Sequence, residues 1–279
     1  MLVSHFFDLV PIWPLFFGTV LVMFVFIEYG FRIGRKAQAT SKKAQTSQVR
    51  SIMGAALGLL AFILAFTFNT AQQHFEARTQ NLAEEVRIAR NAFRYAELIA
   101  EPERLQARQL LTRYVEVRQQ ITDVENDRNQ KLIFSLIKES ETIQDQLWSL
   151  AIIHGQGAVI DESIPRGDGL FLSSVLALTD IHYTRIHSAV MNRIPLTIWV
   201  TLYLMAMLAM TVMGYQAGLT GRRSPVATMT LAFAFSSVMI LITDLDRPIM
   251  SLFAIDHQLM TGLLEEMHAE MRLQYIPGD

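Results

Sequence analysis

The chain has 279 residues, a mass of 31.7 kDa, a net charge of -2 and no cysteine. Hydrophobic residues make up 51% and charged residues only 18%, against about 25% charge in ordinary soluble domains. This composition argues against a disordered chain and against a soluble enzyme. The missing cysteine excludes disulfides and thiolate catalysis. The chain has no excess of basic residues that would point to nucleic-acid binding.

Four uncharged stretches of the chain are each long enough to cross a bilayer. About 20 apolar residues in a helix span the roughly 30 Å hydrocarbon core, and core helices of soluble proteins seldom stay uncharged over that length. The stretches predict transmembrane helices near residues 9–31, 51–72, 195–217 and 225–244. The predicted fold class is therefore an all-α membrane protein with four transmembrane helices.

A polar segment separates the second and third predicted spans, and it shows no strand-like alternation. Its first helix begins without a breaker after Gln73, so we expect it to continue the second span. Breaks near Pro102, at 123–127 and at 154–169 predict four helices in this insert. Apolar residues at helical spacing predict their buried stripes, which include Leu82, Val86, Ala89, Phe93, Leu105, Tyr114, Val117, Leu132, Val175 and Leu178.

The C-terminal tail predicts one more amphipathic helix, with a stripe of Leu259, Leu263, Met267 and Met271. The chain then divides into two spans with their basic loop, a helical extramembrane domain, two further spans and the tail. These four parts cover residues 1–72, 73–193, 194–248 and 249–279.

Two short connecting loops carry basic residues and no acids. The first loop contains Arg32, Arg35, Lys36, Lys42, Lys43 and Arg50, and the second contains Arg222 and Arg223. The positive-inside rule places such loops in the cytoplasm. It therefore predicts that the N-terminus and the helical insert lie outside.

One face of the second span combines large apolar side chains with two amides. Leu59, Phe62 and Phe66 share this face, and Asn69 and Gln73 continue it. Phe rings from several subunits would form a hydrophobic constriction that gates by dewetting, and amides beyond it would offer donors to an anion. Periodicity alone favours the alternative, that the face packs on another helix or on lipid.

The end of the fourth span carries a short acidic turn. Asp244, Asp246 and Asp256 could contribute oxygen ligands to a cation, and Arg247 is a possible partner for a carboxylate at the membrane edge. The favoured alternative is interfacial solvation with the helix ending at Pro248, because calcium loops carry denser acids. We therefore predict no metal site.

Other polar candidates carry weaker signals. His182 and His187 lie five residues apart, which does not place two metal ligands on one helix face. Glu28 near the end of the first span fits interfacial snorkelling better than an ion relay. Phosphate-loop, HExxH and Gly-x-Ser-x-Gly signatures are missing, so we expect neither an enzyme nor a bound cofactor.

Two segments carry a family resemblance. Residues 60–71, followed by the His-Phe-Glu-Ala-Arg run at 74–78, resemble the bestrophin family, as does the Asp-Leu-Asp-Arg-Pro run at 244–248. The match is closest to the bacterial bestrophin-like domain family, with the same order of two helices, helical insert and two helices. Thr67 stands where bestrophins carry an arginine.

The resemblance implies a ring of subunits, pentameric in bestrophins, in a bacterial inner membrane. Helix two would line the pore, Phe62 and Phe66 would form its neck, and anions such as chloride would flow passively. The resemblance also implies a cytoplasmic insert, which conflicts with the positive-inside prediction, and we keep the prediction made from the loop charges.

Two functions stay open at this point. The first is an oligomeric, anion-conducting channel whose partners are the lipid bilayer, further copies of the chain and small inorganic ions. The alternative is a membrane sensor or scaffold whose helical insert binds a ligand or a partner protein. An intramembrane enzyme is a remote third, because no nucleophile and base can be paired within the spans.

Overall fold

The structure is a computed structural model that describes residues 10–38, 43–125, 130–155, 167–221, 224–247 and 258–274. Within these ranges it contains helices and no strands. In chain order the helices are α1 (Ile12–Ala37), α2 (Lys43–Tyr95), α3 (Glu103–Glu125), α4 (Gln130–Gly155), α5 (Gly167–Met191), α6 (Leu196–Thr220), α7 (Pro225–Asp246) and α8 (Gln258–Gln274).

Helices α1, α2, α6 and α7 are long and apolar enough to cross a membrane. The predicted fold class, an all-α membrane protein with four spans, is confirmed. Helix α1 continues past the predicted end near residue 31 and closes on Arg35 and Lys36. Basic side chains in a last turn stabilise the negative end of the helix dipole, as Arg35 and Lys36 do here.

Helix α2 is a single element of 53 residues, about 80 Å long at 1.5 Å per residue. The second span therefore continues into the first insert helix without a break, as the sequence predicts. Helix α2 ends in a 3₁₀ turn at Ala96–Leu98, just before the break that was expected around Pro102.

The chain forms two compact units, and α2 contributes to both. One unit, the membrane unit, comprises Met1–Phe75 and Asn192–Ser251. The other, the helical unit, comprises Glu76–Met191 and Leu252–Asp279. Helix α8 thus belongs with the insert helices, and within that unit it packs against α3.

Glycines let α1 and α6 approach each other closely inside the membrane unit. A Cβ on Gly30 would overlap the carbonyl oxygen of Thr211, and a Cβ on Gly214 would overlap that of Ile27. Gly34 and Gly218 face backbone atoms in the same way. Two small-residue pairs spaced by four thus interlock, which is a common way to join membrane helices.

The helical unit buries most of the predicted stripes. Leu82, Val86, Ala89, Phe93, Tyr114, Val117, Val175 and Leu178 all lie in its core, as do Leu263 and Met267 of α8. The predictions for Leu105, Leu132 and Leu259 are wrong, since these side chains are exposed. Ile133 and Met260, next to Leu132 and Leu259, are buried instead, so the buried face is displaced by about one position in the first turn of α4 and of α8.

Candidate functional site

The predicted pore-lining face of α2 is uncovered in the protomer. Phe62 is 70% exposed, Phe66 62% and Leu59 48%, and the side chains of Asn69 and Gln73 are also exposed. The opposite face of the same helix carries the buried residues Leu60, Leu64, Thr67 and Ala71. The structure therefore leaves this aromatic and amide face available to lipid, to solvent or to another subunit.

Thr67 lies away from that face. It is buried, and its hydroxyl donates a 2.7 Å hydrogen bond to the carbonyl oxygen of Ile63 one turn earlier. A threonine that bonds back to its own helix offers little to a passing ion. Thr67, which the sequence resemblance aligns with an arginine of bestrophins, thus belongs to the packed side of α2.

A second exposed stripe of α2 consists of small residues. Gly54, Gly58, Ala61 and Ala65 follow one another at spacings of four, three and four, and all four are exposed. A Cβ on Gly54 or Gly58 would meet nothing within 4 Å. This small-residue stripe lies about 90° around the helix from the aromatic face, so one α2 presents both surfaces outward.

The acidic turn at the end of α7 makes polar contacts with other segments of the membrane unit. One oxygen of Asp246 accepts a 2.9 Å hydrogen bond from the backbone N–H of Ile194. The other lies 3.4 Å from Nε of Arg193, and Nδ1 of His74 is 3.9 Å from the carboxylate. Asp246 thereby ties the segment before α6 to the end of α7, and the His74 ring at the end of the α2 span lies beside it.

The sequence did not identify Arg193 and His74 as neighbours of Asp246. It indicated Arg247 as the possible partner of a carboxylate instead. The Arg247 guanidinium is buried and donates a 2.8 Å hydrogen bond to the carbonyl oxygen of Val10. Asp244 is buried near the same helix end, whereas Asp256 and Pro248 lie outside the described residues. Among the residues that the structure describes, no group of three or more His, Asp or Glu side chains could hold a metal ion.

The helical unit contains a buried charge cluster that the sequence reasoning also missed. Glu85 is fully buried and accepts a 2.5 Å hydrogen bond from the Tyr114 hydroxyl. Nε of Arg118 lies 2.8 Å from the carboxylate, which also pairs with Arg185. Burial by itself would raise the pKa of Glu85, but the charges of Arg118 and Arg185 and the Tyr114 hydrogen bond outweigh it and lower that pKa to about 2.

His182 lies beside this cluster and is fully buried. Its ring is 6.5 Å from that of Tyr114, and neither ring nitrogen has a hydrogen-bond partner among the described residues. Burial, followed by the positive charge of Arg118, lowers the pKa of His182 to about 4. His187 is exposed on the same helix, so the two histidines do not converge on one site.

Arg108 anchors α8 in the helical unit. Its guanidinium is buried over the Phe93 ring, 4.2 Å from the ring centre. It also donates hydrogen bonds of 2.9 Å to Glu97 and 3.1 Å to Glu270. A charge-assisted contact therefore holds α8 against the extension of α2 and against α3.

These features define an integral membrane protein with four apolar spans, a helical unit and an uncovered aromatic face on its second span. A model of the bestrophin-like domain matches residues 16–258, and the chain belongs to that family. Membership relates this membrane protein to anion channels and confirms the resemblance drawn from the sequence. No curated protein and no solved structure matches the chain.

Proposed function

We propose that this protein is an oligomeric, anion-conducting channel whose hydrophobic neck is formed by α2 helices from several subunits. The observation that carries the proposal is the exposure of Leu59, Phe62 and Phe66 on one face of a span. A single subunit has four spans and cannot enclose a path, so conduction requires several copies around an axis. The family relationship favours a pentamer.

Each residue of the face has a stated role in this proposal. Phe62 and Phe66 form the narrow apolar neck, which opens and closes to ions by wetting and dewetting. Asn69 and Gln73 follow one and two turns later and supply amide N–H donors to an anion that has lost part of its hydration shell. Chloride is the simplest such anion.

The two exposed stripes of α2 support an assembly of several chains. In a ring, the aromatic face would turn to the axis, and the small-residue stripe at about 90° to it would meet the neighbouring subunit. Small residues let membrane helices approach closely and gain dispersion contacts, which is why they concentrate at helix interfaces. The stripe would thus serve as part of the subunit contact.

The oligomer is tested by the mass of the detergent-solubilised particle. We expect four or more copies in the wild-type protein and fewer in Gly58→Leu, since a bulky side chain would separate neighbouring α2 helices. Gly18→Leu is the matched control, because a Cβ at Gly18 on α1 also meets nothing within 4 Å. A solitary wild-type subunit would contradict the channel and favour the sensor or scaffold function.

Conduction is tested by recordings in planar bilayers. The wild-type protein should carry current whose reversal potential in asymmetric KCl lies near that of chloride, and Phe66→Ala should raise the open probability or the conductance. Phe17→Ala is the control, because Phe17 on α1 is 59% exposed but lies on another helix. Equal effects of the two substitutions would argue that Phe66 simply faces lipid.

The orientation proposed from the loop charges places the helical unit outside a bacterial inner membrane. The chain has no cysteine, so a single introduced thiol reports its own side. In intact cells an impermeant maleimide should label Ser173→Cys in α5 and should label Gln48→Cys in α2 only after lysis. The reverse pattern would place the helical unit in the cytoplasm.

A further inference from the structure

A histidine of the helical unit is buried among charged side chains. His182 of α5 is fully buried, and neither of its ring nitrogens has a hydrogen-bond partner among the described residues. Such a ring is tolerated only while it is neutral, because a buried cation without a partner carries a large desolvation cost. The packing of α5 is therefore sensitive to a single proton.

The charges around His182 oppose its protonation. The charged and titratable groups that face the ring come from three helices: Glu85 of α2, Tyr114 and Arg118 of α3, and Tyr183 and Arg185 of α5. Helix α4 contributes Gln144, a neutral amide that lies 3.5 Å from the Tyr114 hydroxyl. With one carboxylate and two guanidinium groups, the cluster is already positive before the imidazole takes up a proton.

The carboxylate of Glu85 is occupied by other donors. Four donor atoms lie at its oxygens: the Tyr114 hydroxyl at 2.5 Å, Nε of Arg118 at 2.8 Å, Nη2 of Arg118 at 3.3 Å, and Nη1 of Arg185. A carboxylate has about four acceptor positions, so these donors fill it. A proton on His182 would add a second net positive charge that this saturated carboxylate does not compensate.

The same part of α5 carries polar contacts with α2. Arg185 pairs with Glu85, and the Ser188 hydroxyl accepts a 3.0 Å hydrogen bond from the Asn81 amide. Both contacts lie within about two helical turns of His182. Movement of these last turns of α5 into solvent would relieve the repulsion that protonation creates.

We propose that His182 is an acid switch, whose protonation releases the C-terminal half of α5 from α2 and α3 while the rest of the helical unit stays folded. Release lets the imidazolium and the Arg185 guanidinium reach water. The released turns lead directly into the third span, because α5 ends at Met191 and α6 begins at Leu196. The proposal does not depend on whether the protein conducts ions.

The expected effect follows from the pKa of His182, which burial lowers from 6.5 to about 4. Between pH 7 and pH 5 this difference raises the equilibrium constant for release about 20-fold. Hydrogen–deuterium exchange of the full-length protein in detergent measures it, with each rate corrected for the pH dependence of free amide exchange. Peptides within residues 181–188 should show the 20-fold rise, and peptides within 104–112 of α3 should change little.

Two substitutions of His182 and one control complete the test. His182→Phe removes the proton acceptor and should abolish the rise, and His182→Leu takes its place should the larger ring fail to fold. His187→Phe should keep the wild-type rise, since His187 lies on the same helix but is exposed. The proposal is overturned by wild-type exchange in 181–188 that does not rise, by a rise that persists in the folded His182 variant, or by an equal rise in 104–112.

Discussion

Replacement of His182 by phenylalanine should remove part of the acid sensitivity of the helical unit. The imidazole is fully buried, and its two ring nitrogens have no hydrogen-bond partner among the described residues. Burial and the positive charge of Arg118 lower its pKa from 6.5 to about 4. The folded protein therefore keeps this histidine neutral at a pH where the unfolded chain protonates it.

The sign and the size of the effect follow from this difference in pKa. Protons bind the unfolded state more tightly, so the free energy of unfolding falls as the pH drops below 6.5, and the loss is complete below about 4. The full loss is about 3 kcal/mol, and about 2 kcal/mol of it occurs between pH 7 and pH 5. Glu85, with its pKa lowered to about 2, loses its stabilising contribution only below pH 4.5 and hardly affects this window.

Thermal unfolding of the full-length protein in detergent measures the effect at pH 7, 6 and 5. A change of 2 kcal/mol corresponds to a Tm shift of about 4–8 °C for a unit of this size. The wild-type Tm should fall by that much more than the Tm of His182→Phe over the same pH range. At pH 7 the variant should be at least as stable, because it no longer buries two unpaired polar atoms.

His187→Phe provides the control, since His187 lies on the same helix but is exposed. This variant should keep the wild-type dependence of Tm on pH. The reasoning is refuted when His182→Phe and the wild type lose stability in parallel between pH 7 and pH 5. That result would mean that the imidazole is solvated or paired in the folded protein.

Three further pairs of substitutions, each a test variant and a control, examine the packing. Gly214→Leu should lower the Tm of the detergent-solubilised protein by several degrees or prevent its accumulation, because the side chain would overlap α1 backbone, while Gly18→Leu should change little. Arg108→Met should lower the free energy of unfolding, measured by chemical denaturation, by about 1–3 kcal/mol. Arg113→Met, which removes an exposed ion pair, should lower it by less than about 1 kcal/mol. Equal losses in the two variants would contradict the anchoring role of Arg108. Asp246→Leu should expose the segment before α6 to proteolysis more than Asp246→Asn does, since only Asn keeps an acceptor for its backbone N–H.

Segment length and charge were enough to predict the four spans. The free-energy cost of placing a charge in hydrocarbon keeps each membrane-spanning stretch free of charged residues. Helical spacing predicted the core of the helical unit less well. It placed Leu105 inside and gave no hint of Arg108, which the structure buries over Phe93. A long basic side chain packs its apolar stem like a hydrophobic residue when carboxylates at the rim take its charge, and spacing alone does not show this.

The buried charge cluster could not be predicted from the sequence, for a related reason. Glu85 lies between Leu82 and Ala89 on the buried stripe of α2, and an acid at such a position is a signal for a buried partner. Its partners Arg118 and Arg185 lie on other helices, 33 and 100 residues further along the chain than Glu85. Only the packing of those helices shows which of the many arginines in the unit meet this one carboxylate.

The glycine pairs of the membrane unit, each spaced by four residues, differ in what surrounds them, whereas Gly18 of α1 is open but has no second glycine one turn away. A glycine within a helix costs about 1 kcal/mol relative to alanine, so it persists where a close contact compensates. Gly30 and Gly214 have that contact inside the chain, between α1 and α6.

Gly54 and Gly58 have the same spacing of four but no contact within the described part of the chain. The compensation for the second pair would come from outside the protomer, and the aromatic face of the same α2 is also exposed in the described part of the chain. Lipid could cover the aromatic face, but flexible lipid chains benefit little from the close approach that glycines permit. In the proposed ring a neighbouring subunit supplies the close contact for Gly54 and Gly58 while the aromatic face turns to the axis, so the paired glycines favour assembly independently of the phenylalanines.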